Sequence, residues 1–272
     1  MGGTVRPSWR DHADDPAPDT PPVPGPDAPA FYLPIGAFQG AAYARNAFAL
    51  GTEEELAALG TLVPLAAGTR LLDVGCGDAR HVRALAARGV LATGVDVSPA
   101  LIAAGRDRAL DEDVEVALLV GDARDLPSVL GAQLATFDVA WSLCQGALGT
   151  SPVSDPAVVA GMAAAVRPGG VVVLTLFHAL FAARHLVPGD AFDPVHLVHH
   201  QRGEVRGPDH ARRHFEVWTA SYTVREAVAL ATGAGLEVTD VRGIEPGAYA
   251  RRGSGEVALD DPELLVVARR PG

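Results

Sequence analysis

Lysine is absent from this chain, since all 22 basic residues of the 272 are arginines. That excludes Schiff-base chemistry, the phosphate-binding lysine of a P-loop, the strand lysine of protein kinases and the Tyr/Lys pair of short-chain dehydrogenases. Cysteine is scarce as well. Cys76 and Cys144 are too few for a disulfide framework and too far apart for a Cys-x-x-Cys pair, so both are expected as reduced thiols in packed positions. No run approaches the ~18 consecutive apolar residues that a membrane-spanning helix needs. The N-terminus lacks a basic segment followed by an apolar core, and Arg6 stands where a myristoylation motif requires Ser or Thr. These absences lead us to expect a cytoplasmic protein with no membrane partner. Positive charge is outnumbered by 33 acidic residues, giving a formal net charge of −11. Binding to long nucleic acids rests on Lys and Arg releasing condensed counterions, so no nucleic-acid partner is expected and a small-molecule substrate fits better.

Proline, by contrast, is concentrated. Eight of the 21 prolines fall in residues 1–30, where bulky apolar side chains are nearly missing. Such a stretch cannot bury enough surface to offset its ordering entropy, so we expect a disordered Pro-rich tail ahead of one domain over residues 31–272. Residues 31–66 form an N-terminal helical segment in this reading: Ala41 to Leu62 is helical, with Thr52-Glu-Glu-Glu55 as a capping box opening its second half.

From Arg70 onward short apolar runs alternate with helical patterns. Strands are predicted at Arg70–Val74, Leu91–Asp96, Glu115–Val120, Phe137–Leu143 and Val171–Phe177. Helices follow Asp78, open at Ser98-Pro99, and open at Asp155-Pro156, where a capping residue precedes a proline. This alternation implies a parallel sheet with helices on both faces. Residues 178–219 interrupt it as an insertion, within which Phe192–Val205 and Arg212–Trp218 are read as antiparallel strands joined around Gly207-Pro208. Regularity returns at the capping box Thr223-Val-Arg-Glu226, whose helix ends at Gly235, and Leu236–Val241 and Leu264–Ala268 are the last strands.

The densest signal is Leu71-Leu72-Asp73-Val74-Gly75-Cys76-Gly77-Asp78-Ala79-Arg80-His81, a strand running into a glycine turn and then a helix. Glycine at 75 and 77 allows a tight turn and a close approach to a ligand. Asp96 follows Gly75 by 21 positions at the end of the next strand, where a carboxylate can accept hydrogen bonds from the two hydroxyls of an adenosine ribose. Val120-Gly121-Asp122-Ala123 sets a second carboxylate at the same sheet edge. A dinucleotide site would need a third glycine where Arg80 stands, and a pyrophosphate would meet the negative charge of Asp78 at the helix N-terminus. Both departures favour a nucleoside ligand without phosphates.

Taken together, these segments resemble the class I S-adenosylmethionine-dependent methyltransferase superfamily. Residues 71–81 resemble its motif I, Asp96 its ribose-binding acid and Asp122-Ala123 its adenine-binding pair. Phe137-Asp138-Val139-Ala140-Trp141-Ser142 resembles the fourth strand, and Arg167-Pro168-Gly169-Gly170 the turn before the fifth. The resemblance runs over residues 41–270 and implies a Rossmann-like, seven-stranded, mostly parallel sheet with an antiparallel last strand, helices on both faces and a small β insertion after strand five. It implies S-adenosylmethionine as cofactor and S-adenosylhomocysteine as product, held by Asp73, Gly75, Cys76, Gly77, Asp96, Val97, Asp122, Ala123 and Ser142. Leu264–Ala268 would then insert beside the fifth strand. Ala79 departs from the third glycine of many members but keeps the position small.

Trp141-Ser142-Leu143-Cys144 stands where DNA and protein-glutamine methyltransferases carry an Asn/Asp-Pro-Pro-aromatic motif, which argues against those acceptors. Gln145 is a candidate for orienting an acceptor, or else a partner for nearby backbone. His178, following the fifth strand, is a candidate base for a hydroxyl acceptor, or else a structural histidine. His196, His199 and His200 invite a metal reading, but alternation along a strand would put His199 on the opposite face from the other two, so no metal is expected. The reaction expected is direct methyl transfer to an O or N atom of a small molecule. A catalytically silent domain binding an adenosine ligand or a partner protein is the alternative.

Overall fold

The computed structural model describes residues 31–46, 51–144 and 146–272. The tail expected over residues 1–30 and the candidate Gln145 lie outside the described residues.

Among the described residues ten strands form one sheet: β1 (Arg70–Val74), β2 (Leu91–Asp96), β3 (Ala117–Val120), β4 (Phe137–Ser142), β5 (Val166–His178), β6 (Ala191–Asp193), β7 (Val198–Arg206), β8 (Arg212–Tyr222), β9 (Glu237–Ile244) and β10 (Glu263–Arg269). The parallel core runs β3-β2-β1-β4-β5, and β10 lies antiparallel between β5 and β9. Its position beside β5 is the one expected for Leu264–Ala268. Along each central strand neighbouring residues face opposite layers, as the two-residue period requires. Leu72, Ala140, Val172 and Leu264 join one core with α5 (Leu126–Leu130), α6 (Asp155–Ala165) and α8 (Val224–Gly233). Leu71, Trp141, Val173 and Leu265 join the other with α2 (Thr52–Leu59), α3 (Arg80–Ala86) and α4 (Pro99–Asp111). Both faces are therefore covered, which is why these strands read as continuous apolar runs.

The insertion differs from the sequence expectation in three respects. It opens with a short helix, α7 (Ala179–Arg184), and contains three strands, not two. It is also continuous with the main sheet: beyond the end of β4, β8 pairs parallel to β5 through Phe177–Ser221 and His178–Tyr222. The β7–β8 ribbon, with Val198 opposite Ala220 and Arg206 opposite Arg212, turns at the expected Gly207-Pro208. The ribbon also reaches α1 (Tyr32–Gln39), because the Phe38 and Phe215 rings lie 5.7 Å apart and the Gln39 amide donates to the Arg206 carbonyl at 3.3 Å.

Local corrections have physical causes. β5 starts at Val166 and absorbs the Arg167–Gly170 turn, with a register break against β4 where Gly169 takes φ 76°. Ser154, not Asp155, precedes α6, since the Asp155 carboxylate is drawn inward by Tyr222 and by the Gly149 amide. The box expected at Thr52–Glu55 does not form, because Gly51 caps α2 and Glu55 turns toward α3. The box at Thr223–Glu226 forms as expected, with both reciprocal hydrogen bonds, although its helix stops at Gly233. The described part of the N-terminal segment is α1, a 3-10 stretch from Gly40 to Arg45, and α2. Among the described residues no helix is long and apolar enough to cross a membrane.

Candidate functional site

The site is the crevice at the C-terminal ends of β1, β2, β3 and β4, where open α/β sheets bind ligands. Gly75 and Gly77 both take left-handed φ, 77° and 57°, which lets the chain leave β1 and enter α3 in one turn. Ala79 also takes a left-handed φ of 61° while fully buried. A Cβ carries strain in that region, which gives a physical reason for the glycine that many superfamily members have there.

Asp96 ties this turn to the next strand. One carboxylate oxygen accepts the Gly77 amide at 2.8 Å, and the other accepts the Ser98 amide at 2.8 Å. An ionised carboxylate offers about four acceptor positions, so two remain for a ligand. Burial pushes the Asp96 carboxyl up to about 6, against the two amide hydrogen bonds that lower it. Asp96, Val97, Asp122 and Ala123 line one small compartment with Tyr32 of α1. Asp122 is gripped there by its neighbour Arg124, whose side chain forks onto both carboxylate oxygens and holds the pKa down.

A second compartment lies at the glycine turn itself, lined by Asp73, Cys76, Asp78, Arg80 and Cys144 among others. Asp73 is buried, which raises its pKa, and its Oδ2 has no hydrogen-bond partner among the described residues. Neither oxygen of Asp78 has a hydrogen-bond partner there, the nearest cation being Arg108 at 3.7 Å. Arg80 is fixed by Glu55 at 2.7 Å, by the Thr52 hydroxyl at 2.8 Å and by the Cys144 sulfur at 3.1 Å. Glu55, fully buried, also binds His81 at 2.8 Å and the Gly247 amide at 2.9 Å. Burial works to raise the Glu55 pKa, and the hydrogen bonds from His81 and Arg80 outweigh it. Burial pushes the Cys144 thiol up to about 12, so it stays protonated, in keeping with the packed role expected of it.

The two compartments meet where the turn after β4 presses on the glycine turn. A Cβ added to Gly75 would lie 2.0 Å from the Gly146 carbonyl carbon, so both positions must lack a side chain. Ser142 pins this turn by accepting the Ala147 amide at 3.2 Å. A third compartment of about 310 Å³ opens above it, bounded by α1, the 3-10 stretch after it, and the β7–β8 ribbon.

Of the residues singled out in the sequence, Asp73, Gly75, Cys76, Asp96, Val97, Asp122 and Ala123 line this connected crevice, and Gly77 supports it through the hydrogen bond from its amide to Asp96. Ser142 lies beneath it. His178 is not among the lining residues. It is buried, its Nδ1 lies 2.9 Å from the Asp261 carbonyl, and it borders a separate groove with Leu180 and Val224. His196, His199 and His200 pair separately with Asp193, Asp190 and Glu216. Sequence reasoning missed Tyr32, Gln39, Tyr43 and Glu55, which reach the crevice or its supporting network from the N-terminal segment. The hydrophobic pattern marks α1 and α2 as helices but carries nothing about which strand ends they cover.

A ligand with adenosine at one end and a zwitterionic amino acid at the other fits this donor set. Asp96 and the Asp122-Ala123 pair suit the nucleoside, while Asp73 Oδ2 and the Asp78 oxygens, which have no hydrogen-bond partner among the described residues, and the Arg80 guanidinium suit an ammonium and a carboxylate. The sheet order, with an antiparallel strand inserted at the end, and the acid after β2 together define a Rossmann-like methyltransferase fold. A family described as "Methyltransferase domain" matches residues 71–170. A 27-O-demethylrifamycin SV methyltransferase from Amycolatopsis mediterranei is 39% identical over 88 residues, 31% of each chain. A ubiquinone biosynthesis O-methyltransferase from Xylella fastidiosa is 35% identical over 122 residues, 44% of this chain and 46% of that one. The chain thus spans under half the length of these curated relatives. The solved CcbJ methyltransferase from Streptomyces caelestis superposes with a TM-score of 0.69 at 19% identity, covering 88% of this chain and 98% of that one. Residues 71–170 therefore match a methyltransferase domain, and the fold of the chain is that of the solved S-adenosylmethionine-dependent methyltransferases.

Proposed function

We propose that this protein transfers a methyl group from S-adenosylmethionine to an O or N atom of a small molecule. The observation that carries the reading is Asp96: a buried carboxylate at the end of β2, bound to the glycine turn and facing the crevice with acceptor capacity to spare. Asp96 would take the ribose hydroxyls and Asp122-Ala123 the adenine. Asp73, Asp78 and Arg80 would take the charged ends of the amino acid. When bound, the cofactor supplies an electrophilic methyl group, so the protein's task is to align an acceptor lone pair with it and keep water out. α1 and the β7–β8 ribbon serve that task by covering the crevice, and Gln145, next to Cys144, is the candidate for orienting the acceptor. The curated relatives are named as O-methyltransferases or as acting on an O-demethyl compound, which supports oxygen as the first acceptor atom to test.

Calorimetry with S-adenosylhomocysteine, followed by label transfer from methyl-labelled S-adenosylmethionine into a metabolite extract, tests the reading. We expect micromolar binding and labelled product. Absence of binding overturns it, and binding without transfer supports a silent adenosine-ligand domain instead.

A further inference from the structure

The compartment under the ribbon says more about the acceptor than its size. Its volume of about 310 Å³ is at the small end for ligand pockets and holds one ring system. Ile35, Leu101, Val205 and Val217 give it apolar walls, and Tyr32 and Tyr43 contribute two aromatic rings. Its polar lining is mainly carboxamides and acids, Gln39, Asn46 and Gln201 with Asp96 and Glu204, beside Ser98 and Cys144. None of the described residues lining it carries a cationic side chain, in a chain with 22 arginines. Glu204 is exposed and pairs with Arg212 of the neighbouring strand at 2.9 Å, so Asp96 is the buried negative charge.

One donor here awaits a partner. Gln39 Nε2 donates to the Arg206 carbonyl, which fixes its amide orientation, and the same nitrogen donates to Asn46 Oδ1 at 3.2 Å. That leaves Asn46 Nδ2, which is buried and has no hydrogen-bond partner among the described residues. A buried unpaired amide N–H is costly unless a ligand oxygen or nitrogen meets it.

We propose that this compartment is the acceptor site, that it takes an uncharged or cationic ring compound with a hydrogen-bond-accepting atom for Asn46, and that it rejects carboxylates and phosphates. An anion buried here would meet no cationic side chain among the described lining residues and would face Asp96, with the Arg212 guanidinium at the rim already taken by Glu204, whereas a neutral or cationic group would meet no such repulsion. The proposal rests on the methyltransferase reading for the identity of the site.

Three probes that share a catechol ring and differ in charge test it: dopamine, 4-methylcatechol and 3,4-dihydroxyphenylacetate. Binding to the full chain saturated with S-adenosylhomocysteine is measured by calorimetry at pH 7. We expect the cation and the neutral compound to bind at least tenfold more tightly than the anion. Gln201→Arg should reverse the order in favour of the anion, and Glu204→Gln should reduce the advantage of dopamine over 4-methylcatechol. Both variants are on a solvent-facing ribbon and can be checked for folding by circular dichroism. Equal binding of the three probes, binding by none, or tightest binding of the anion to the unmodified protein overturns the inference. If S-adenosylhomocysteine itself fails to bind, the methyltransferase reading falls, while the charge ranking can still be measured on the protein alone.

Discussion

The Asp96 carboxylate accepts the Gly77 amide at 2.8 Å, so the acid that closes β2 and the glycine turn that follows β1 form one unit. Asp96 has a structural task even without ligand, and a ribose would add to it. Asp96→Asn retains an oxygen for one amide and loses the charge. We expect it to weaken S-adenosylhomocysteine binding by about 1–3 kcal/mol, the worth of hydrogen bonds to a charged acceptor. Because burial holds this carboxyl up at about 6, it is protonated in acid and then has fewer acceptor positions. Affinity in the unmodified protein should therefore fall as pH drops from 7 to 5, and the Asn variant should lack that dependence. Calorimetry across this range decides, and a pH-independent affinity would remove Asp96 from the binding interaction.

Asp155 supplies a stability test. It is buried, accepts the Tyr222 hydroxyl and the Gly149 amide, and burial raises its pKa from 3.8 to about 6. A carboxyl raised by folding favours the native state when protonated. Its contribution is fully present below about pH 4 and is lost as pH rises through about 6. Two pK units correspond to roughly 3 kcal/mol. Asp155→Asn mimics the neutral acid while keeping an oxygen for Tyr222. Its melting temperature relative to the unmodified protein should climb between pH 4 and pH 7 and level off above. A difference that stays constant over that range would mean Asp155 is not held in its acid form by the fold.

Glu55 joins α2 to α3 and to the segment between β9 and β10, through Arg80, His81 and the Gly247 amide. Its side chain is fully buried and that of Arg80 is 11% exposed. Removing the acid leaves a cation in a dry setting, which typically costs about 3–5 kcal/mol. Glu55→Ala should lower the melting temperature by roughly 10 °C in a domain of this size. A shift within about 2 °C would show that solvent already screens the pair.

The sheet and the residues at its crevice were legible because their signals are local. β1 and β2 are read to the residue, since each is an apolar run bounded by turn residues, and Asp96 is marked by its place at a strand end. What the sequence hides depends on long-range contact. Thr52 to Glu55 has the form of a capping box, but a buried arginine 25 positions after Glu55 competes for that carboxylate and wins. Asp155 likewise looks like a cap until Tyr222, 67 positions later, draws it inward. His178 lies near the sheet edge in sequence, yet the Asp261 carbonyl holds it away from the crevice. In the sequence residues 178–219 read only as an insertion, and it is the pairing of the ribbon with the end of β5 that makes it a wall of the crevice that holds Asp96.

That wall contains a glycine whose absent side chain has a consequence. Gly203 lies on β7 opposite Phe215 and lines the 310 Å³ compartment, and a Cβ built on it meets nothing within 4 Å. Its backbone does not take a positive φ, so an L side chain is tolerated there, and a larger residue in a strand interior generally stabilises it. Gly203→Phe should therefore fold with an unchanged or slightly higher melting temperature while filling the compartment. Because the residue stands on the ribbon and is not among those assigned to the cofactor, S-adenosylhomocysteine affinity should change by less than about threefold, or ~0.6 kcal/mol. Acceptor binding and turnover should fall by at least about tenfold. If the variant instead loses the cofactor product and leaves acceptor turnover intact at saturating cofactor, the compartment belongs to the cofactor and the acceptor must enter elsewhere.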